Sequence, residues 1–295
     1  MTLTLRRDPS RTTMLRRRFI ADMNRRFKRV SKAVWEFIVV DDAFGLEDKS
    51  TFVVMRERQA FRFSTDAQKI GAYHKWLQQQ IDADILTVDS VTAKPWTSTY
   101  IESAYKKGMV RAYTDVHSIE LAESVDFYKG SKAQFLQDAF SAPEVLSKIE
   151  LVSIRAFEEL RGVTATMSQQ LSRALANGLA HGYSPAKIAR EMQKSIGSLT
   201  RTRARMIART EVISAHAEGQ LDSFERLGVE EVGIMAEWTT AGDERVCPEC
   251  GALEGEIMTI EEARGMIPLH PNCRCDWLPA TKKSGKVSEV GSKWK

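Results

Sequence analysis

The sequence predicts a mainly α protein with a small α+β C-terminal domain stapled by a Cys/His site. Three observations carry that prediction. Apolar residues recur at three- and four-residue steps along most of the 295 positions. Two-residue alternation is confined to short stretches. All four cysteines fall between Cys247 and Cys275, after 246 residues with none. A hydrophobic fraction of 43% and a charged fraction of 28% are those of a folded globular chain, and the length allows one to three domains. The longest apolar run, Phe37 to Val40, is far below the ~18 residues of a membrane span, so no membrane partner is expected. The N-terminus is basic but lacks the apolar stretch of a secretory signal.

Residues 1–12 read as a loose start. From Thr13 to about Val40, Met14, Leu15, Ile20, Met23, Phe27, Val30 and Val34 trace a helical stripe. Residues 1–32 hold 11 Lys and Arg against two acids, while the remainder holds 32 against 37. Arg16, Arg17, Arg18, Arg25, Arg26, Lys28 and Arg29 are therefore candidate anion-binding residues of a basic arm, or else one solvated helix face. Thr51 to Met55 and Phe61 to Phe63 suggest paired strands. Helices follow at about 65–83, 97–107, 117–126 and 131–140, with breaks at Lys94-Pro95-Trp96 and Lys106-Lys107-Gly108. Another helix opens at Pro143 and runs to about Arg161. The divisions expected are 1–45, a basic arm; 46–161, a mainly helical domain; 162–280, the domain with the Cys/His cluster; and 281–295, a basic flexible tail.

Gly162 begins a new rhythm. A helix over 163–180 ends near Gly182, and Ser184-Pro185 provides an N-cap and first-turn proline for the next. Gly197 should break that helix. A long helix follows from about Thr200 to Leu227, closed by Gly228. Val232, Ile234, Ala236 and Trp238 alternate as a half-buried strand. Thr259 and Glu262 have capping-box spacing. After Pro279 the chain is rich in Lys, Ser and Gly and reads as tail.

The cysteines form two half-sites. Cys247-Pro248-Glu249-Cys250-Gly251 turns two sulfurs to one side. His270-Pro271-Asn272-Cys273-Arg274-Cys275 offers three more donors. Thiolates and imidazoles in this spacing suit zinc, which takes four ligands in a tetrahedron, so five candidates leave one spare. In extended chain Cys273 and Cys275 point to opposite sides and His270 joins only one of them. If the chain turns, both bind and His270 orients them. Disulfides are the alternative, disfavoured without an export signal. A site filled by protein donors is structural and not catalytic.

An enzyme reading competes. His216-Ala217-Glu218 followed by Cys247 and Cys250 is similar to the zinc-deaminase pattern of His, Glu and two cysteines. Here the proline lies inside the CxxC and His216 lies well inside a helix. His270, Cys273 and Cys275 would have no task. Phosphate-cradling and nucleophile-elbow motifs are missing, so no enzyme is expected. Asp243, Glu244 and Arg245 could bind a ligand or form a salt-bridged turn.

Three blocks in order resemble the phage Mu F-like head morphogenesis family: Arg203 to Glu211, Trp238 to Cys250, and His270 to Cys275. Gly182-Tyr183-Ser184-Pro185 with Ile188-Ala189 is similar to the start of that domain. The resemblance covers about Gly162 to Cys275. It implies a minor head protein of a tailed bacteriophage, structural rather than enzymatic. The location implied is the virion, in the head interior or at the portal vertex, with assembly in the host cytoplasm. Partners implied are portal or capsid proteins. A basic arm near packaged DNA would bind phosphates non-specifically, with steep salt dependence. A nucleic-acid-binding module unconnected with virions is the remaining alternative.

Overall fold

Helix α1 (Thr13–Trp35) is the first element and passes into a π-helical turn at Glu36–Val40. The computed structural model describes residues 8–46, 66–118, 130–228 and 234–281. After α1 come α2 (Asp66–Asp84), α3 (Ser98–Val116), α4 (Lys132–Ser141), α5 (Pro143–Ala180), α6 (Pro185–Leu199) and α7 (Arg205–Arg226). The remaining elements are short: β1 (Ile234–Thr239), α8 (Pro248–Ala252), β2 (Ile257–Met258), α9 (Ile260–Ala263) and β3 (Asp276–Thr281). The chain is thus mainly helical with a small antiparallel sheet of order β2-β1-β3.

The chain forms two compact units that interleave in sequence. One comprises residues 1–19, 97–156 and 206–295, and the other 20–96 and 157–205. The first is built around α3 and α7. At their crossing a Cβ added to Gly108 would overlap the His216 carbonyl, and one added to Gly219 would overlap the Tyr105 carbonyl. Glycine lets the two backbones touch there. Below the crossing, Asp222 accepts hydrogen bonds from the Tyr105 hydroxyl and from Lys148 Nζ (2.7 Å), and it pairs with Arg264 at 2.8 Å. Ile213, Leu221 and Phe224 of α7 continue into the same apolar cluster as Trp238, Trp277 and Cys250. Gln220 of α7 holds the sheet by donating to the Trp277 carbonyl (2.9 Å) and accepting from its N–H (3.4 Å). Trp238 and Trp277 pack edge to face at 5.4 Å.

In the second unit, Phe37, Phe44, Tyr73 and Trp76 form an aromatic group. Gln193 of α6 donates to the Ser31 carbonyl of α1 at 3.1 Å. Ser184 caps α6 by accepting from the Lys187 N–H, with Pro185 in the first turn, as the sequence predicts.

Several expected breaks need correction. α3 continues through Lys106-Lys107-Gly108, because Gly108 serves the helix crossing and not a stop. α5 runs through Gly162, so the two helices predicted over 143–161 and 163–180 are one. α6 likewise passes Gly197 and continues through a π-helical turn at Thr200–Ala204 into α7. A glycine inside a helix costs only about 1 kcal/mol relative to alanine, which packing on either side offsets. The predicted tail begins too early: β3 continues through Pro279 to Thr281, with Pro279 opposite Ala236. Proline is tolerated because β3 is an edge strand. The strands predicted at 51–55 and 61–63, most of the helix predicted at 117–126, and the tail from 282 onward lie outside the described residues.

Candidate metal centre

The first half-site is a helix start. Cys247 is the N-cap of α8, its Sγ accepting the Cys250 N–H at 3.3 Å, with Pro248 in the first turn. The local pattern of a capping side chain followed by proline sets the two sulfurs on one side. The second half-site is a tight turn. The Cys273 N–H bonds to the His270 carbonyl at 3.1 Å, and Asn272 between them adopts φ +68°. Proline second and a left-handed residue third are the requirements of a type II turn. The turn is tied to α7, where Thr210 Oγ1 accepts the Asn272 N–H at 3.3 Å.

These two half-sites meet. Cys247, Cys250 and His270 form one group whose donor atoms lie within 4.8 Å of one another, and Cys250, Cys273 and Cys275 form a second. His270 Nε2 stands 3.1 Å from both Cys247 Sγ and Cys250 Sγ. Cys250 Sγ and Cys273 Sγ are 3.9 Å apart. All four cysteines are free thiols, so the disulfide alternative does not describe this structure. The chain turns at Asn272, and this brings both Cys273 and Cys275 into the cluster.

Each of the two groups, which share Cys250, could hold a metal ion. Two sulfurs each 2.3 Å from a tetrahedral zinc would stand about 3.8 Å apart, close to the Cys250–Cys273 separation. A cavity of about 20 Å³ is bordered by Cys247, Cys250, His270 and Cys275. That is the room of roughly one water-sized sphere. His270 Nδ1 lies 2.9 Å from the Pro271 carbonyl, which leaves Nε2 directed at the thiols, the usual bracing of a metal-bound imidazole.

Electrostatics supports the same fit. The Cys250 N–H at the start of α8 lowers the Cys247 thiol. The Cys275 thiol, hydrogen-bonded to Cys273, brings Cys273 down to about 5. Burial and the neighbouring Cys273 push Cys250 up to about 12. The bond to Cys273, with burial, raises Cys275 well above the thiol range. Burial works against a charged His270, but its bond to the Pro271 carbonyl and the nearby Cys273 and Cys247 raise it overall. The sulfurs of Cys250, Cys273 and Cys275, this close, cannot all ionise together unaided, and a divalent cation would remove the conflict.

The residues of the deaminase pattern do not converge here. His216 is buried in α7, its Nδ1 3.2 Å from Asp276 Oδ1, and it belongs to neither donor group. Glu218 accepts from the Gly265 N–H at 3.0 Å and pairs with Arg264 at 3.3 Å. Asp243 forms a salt-bridged turn with Arg245 (2.9 Å), and also braces the second half-site by accepting from Arg274 Nη1 (2.6 Å). That brace spans 31 positions, and no local pattern signals it.

The basic arm divides by residue. Arg17, Arg18 and Lys28 are exposed and make no ion pair among the described residues. Arg25 pairs with Asp22, and Arg29 with Asp84 at 2.5 Å. Arg26 donates to the Asp84 carbonyl (2.8 Å) and Thr87 Oγ1 (2.9 Å) and lies over Trp96. Arg16 is buried and pairs with Asp8 at 2.9 Å. No helix of the described residues is long and apolar enough to cross a membrane.

No curated protein and no solved structure matches the chain. Residues 169–278 match the family model described as phage Mu protein F like protein. That segment contains every donor of the cluster, and over it the chain is similar to the phage Mu F-like family, as the sequence blocks had indicated.

Proposed function

We propose that this chain is a minor head protein of a tailed bacteriophage, acting structurally in head morphogenesis. The observation that carries the reading is the Mu F-like segment itself, with the complete Cys/His cluster inside it. The cluster would hold zinc through Cys247, Cys250, His270 and at least one of Cys273 and Cys275. Zinc with protein donors in every position supplies cross-linking, not catalysis. No turnover is assigned, and the place of His216 outside both donor groups and the pairing of Glu218 with Arg264 support that assignment. Portal or capsid proteins would be the partners. Arg17, Arg18 and Lys28 would face packaged DNA without reading its sequence.

The test is to purify particles from cells producing the phage and measure this protein and its zinc by mass spectrometry. The protein is expected in heads, at low copy, with one zinc per chain. Particles free of it would sink the virion reading. Zinc that is lost in His216→Ala while the fold survives, but kept in Cys273→Ser and Cys275→Ser, would sink the structural reading of the metal and revive the hydrolase.

A further inference from the structure

α6 sorts its side chains by chemistry. Ile188, Ala189, Met192 and Ile196 are buried, while Lys187, Arg190, Glu191, Lys194 and Ser198 recur at three- and four-residue steps on the opposite, exposed face. Residues 185–205 hold six Lys and Arg against one acid, whereas the rest of the chain beyond residue 32 holds 26 against 36. Positive charge is therefore concentrated in this stretch. Lys187, Arg190, Lys194, Arg201, Arg203 and Arg205 are all exposed, and among the described residues none of them forms an ion pair.

Charged outer faces are common on solvated helices, and a groove sets this one apart. It measures about 440 Å³ and is bordered by Gln170 of α5, by Glu191, Lys194 and Ser198 of α6, and by Thr202 and Arg203 of the π-helical turn. In an unbroken α-helix Arg203 would follow Ile196 at seven positions and share its buried face. The π-helical turn at Thr200–Ala204 breaks that register, and Arg203 lies exposed on the same groove as Lys194. Turns of this type inside helices recur at functional sites.

The chemistry of the groove narrows the ligand. Two cations, two hydroxyls and a carboxamide are the donors that hold phosphate oxygens, and such contacts carry no sequence information. Glu191 is the one acid on the border, so the groove keeps a positive balance and the 185–205 stretch a net charge of +5. No aromatic ring borders it, although the bases of a single strand would need one to stack on. None of the large apolar side chains left exposed among the described residues falls between 185 and 205, so the apolar anchor of a protein interface is missing too.

We propose that α6 and the π-helical turn form a surface for double-stranded nucleic acid, in which Lys194 and Arg203 hold phosphodiester oxygens at the groove and Lys187, Arg190 and Arg201 extend the contact along the backbone. This surface is separate from Arg17, Arg18 and Lys28 of α1. It does not rest on the virion reading, and particles lacking the protein would leave it standing.

The test follows fluorescence anisotropy of two short DNA duplexes of unrelated sequence, and of labelled polyglutamate, titrated with the full chain at several salt concentrations. Each phosphate contact contributes about one to the slope of log affinity against log salt. Lys194→Gln/Arg203→Gln should therefore lose about two from that slope and bind both duplexes about tenfold or more weakly near ~0.1 M salt. The same loss should appear in an Arg17→Gln/Arg18→Gln background, which makes it independent of the α1 cations. A wild type that binds neither duplex, or a variant with unchanged affinity and slope, overturns the proposal. So does a loss confined to one duplex, which would mean base readout. A loss for polyglutamate as large as that for the duplexes also overturns it, in favour of an acidic protein partner. Both substituted side chains are exposed, so far-ultraviolet dichroism and melting temperature should match the wild type. Should the variant nevertheless fail to fold, Arg190→Gln/Arg201→Gln probes the same face, and unchanged duplex binding there overturns the surface.

Discussion

The α3–α7 crossing and the Cys/His knuckle occupy one unit, yet different forces order them. At the crossing, two glycines bring long helices into backbone contact, and a buried carboxylate gathers Tyr105, Lys148 and Arg264. Many residues contribute small amounts, and removing any one leaves the rest. The knuckle has helices of five and four residues and a strand of two. Elements this short cannot stand on propensity or area. Their geometry is fixed by a capping cysteine, a type II turn and two donor groups that share Cys250. On the proposed zinc reading, the difference teaches that apolar burial is cumulative, whereas a chelate is all or none.

The contrast is sharpened most by removing a donor. Cys250→Ser should abolish metal binding, an interaction on the order of 10 kcal/mol for structural zinc. Near-ultraviolet dichroism of Trp238 and Trp277 should collapse, while far-ultraviolet helical signal largely survives. A variant that keeps its tryptophan signal would break the contrast, showing that packing alone orders the sheet. The next effect is at the crossing. Gly219→Ala forces a methyl into the Tyr105 carbonyl and should destabilise the helices by about 3 kcal/mol in urea melts, at the upper end of overpacking costs. Metal content below the melting transition should be unchanged. Equal stability would mean that the helices separate more cheaply than their contact implies.

The smallest effect concerns pH. Hydrogen bonds from Arg274, then Arg245, hold the Asp243 carboxyl well below the usual carboxylate range. A depressed folded value stabilises fully above the unfolded pKa near 3.9 and is lost as pH falls through the folded value. The stability difference between wild type and Asp243→Asn should therefore be present at pH 7 and shrink below about pH 4. A difference constant with pH would show that the brace acts through packing and not charge.

Local chemistry made parts of both regions legible. Ser184-Pro185, the Thr259–Glu262 capping box and the alternation leading to Trp238 each specify structure within four or five residues, and each forms as read. The two half-sites were legible for the same reason, and the turn at Asn272 resolves whether Cys273 and Cys275 can approach together. What escaped were features set by distant partners. Gly108 looks like a stop until α7 lies against it. Pro279 looks like the end of structure until β1 pairs with it. Arg16 looks like Arg17 and Arg18 until Asp8 turns it inward. Periodicity counts which face a residue occupies, but not which element arrives there from 100 positions away.

The interleaving of the two units has a consequence for synthesis. The unit made of residues 20–96 and 157–205 has all its segments once α6 has left the ribosome. The other begins with the first turns of α1 and cannot close until β3 has been made, because β3 flanks the central strand and bonds to Gln220. Its N-terminal segment must therefore wait until residues 206–281 have been made. Domains usually complete in order from the N-terminus. Here the unit that holds the first turns of α1 closes only after the one made of residues 20–96 and 157–205, and the Cys/His cluster belongs to the part that closes later.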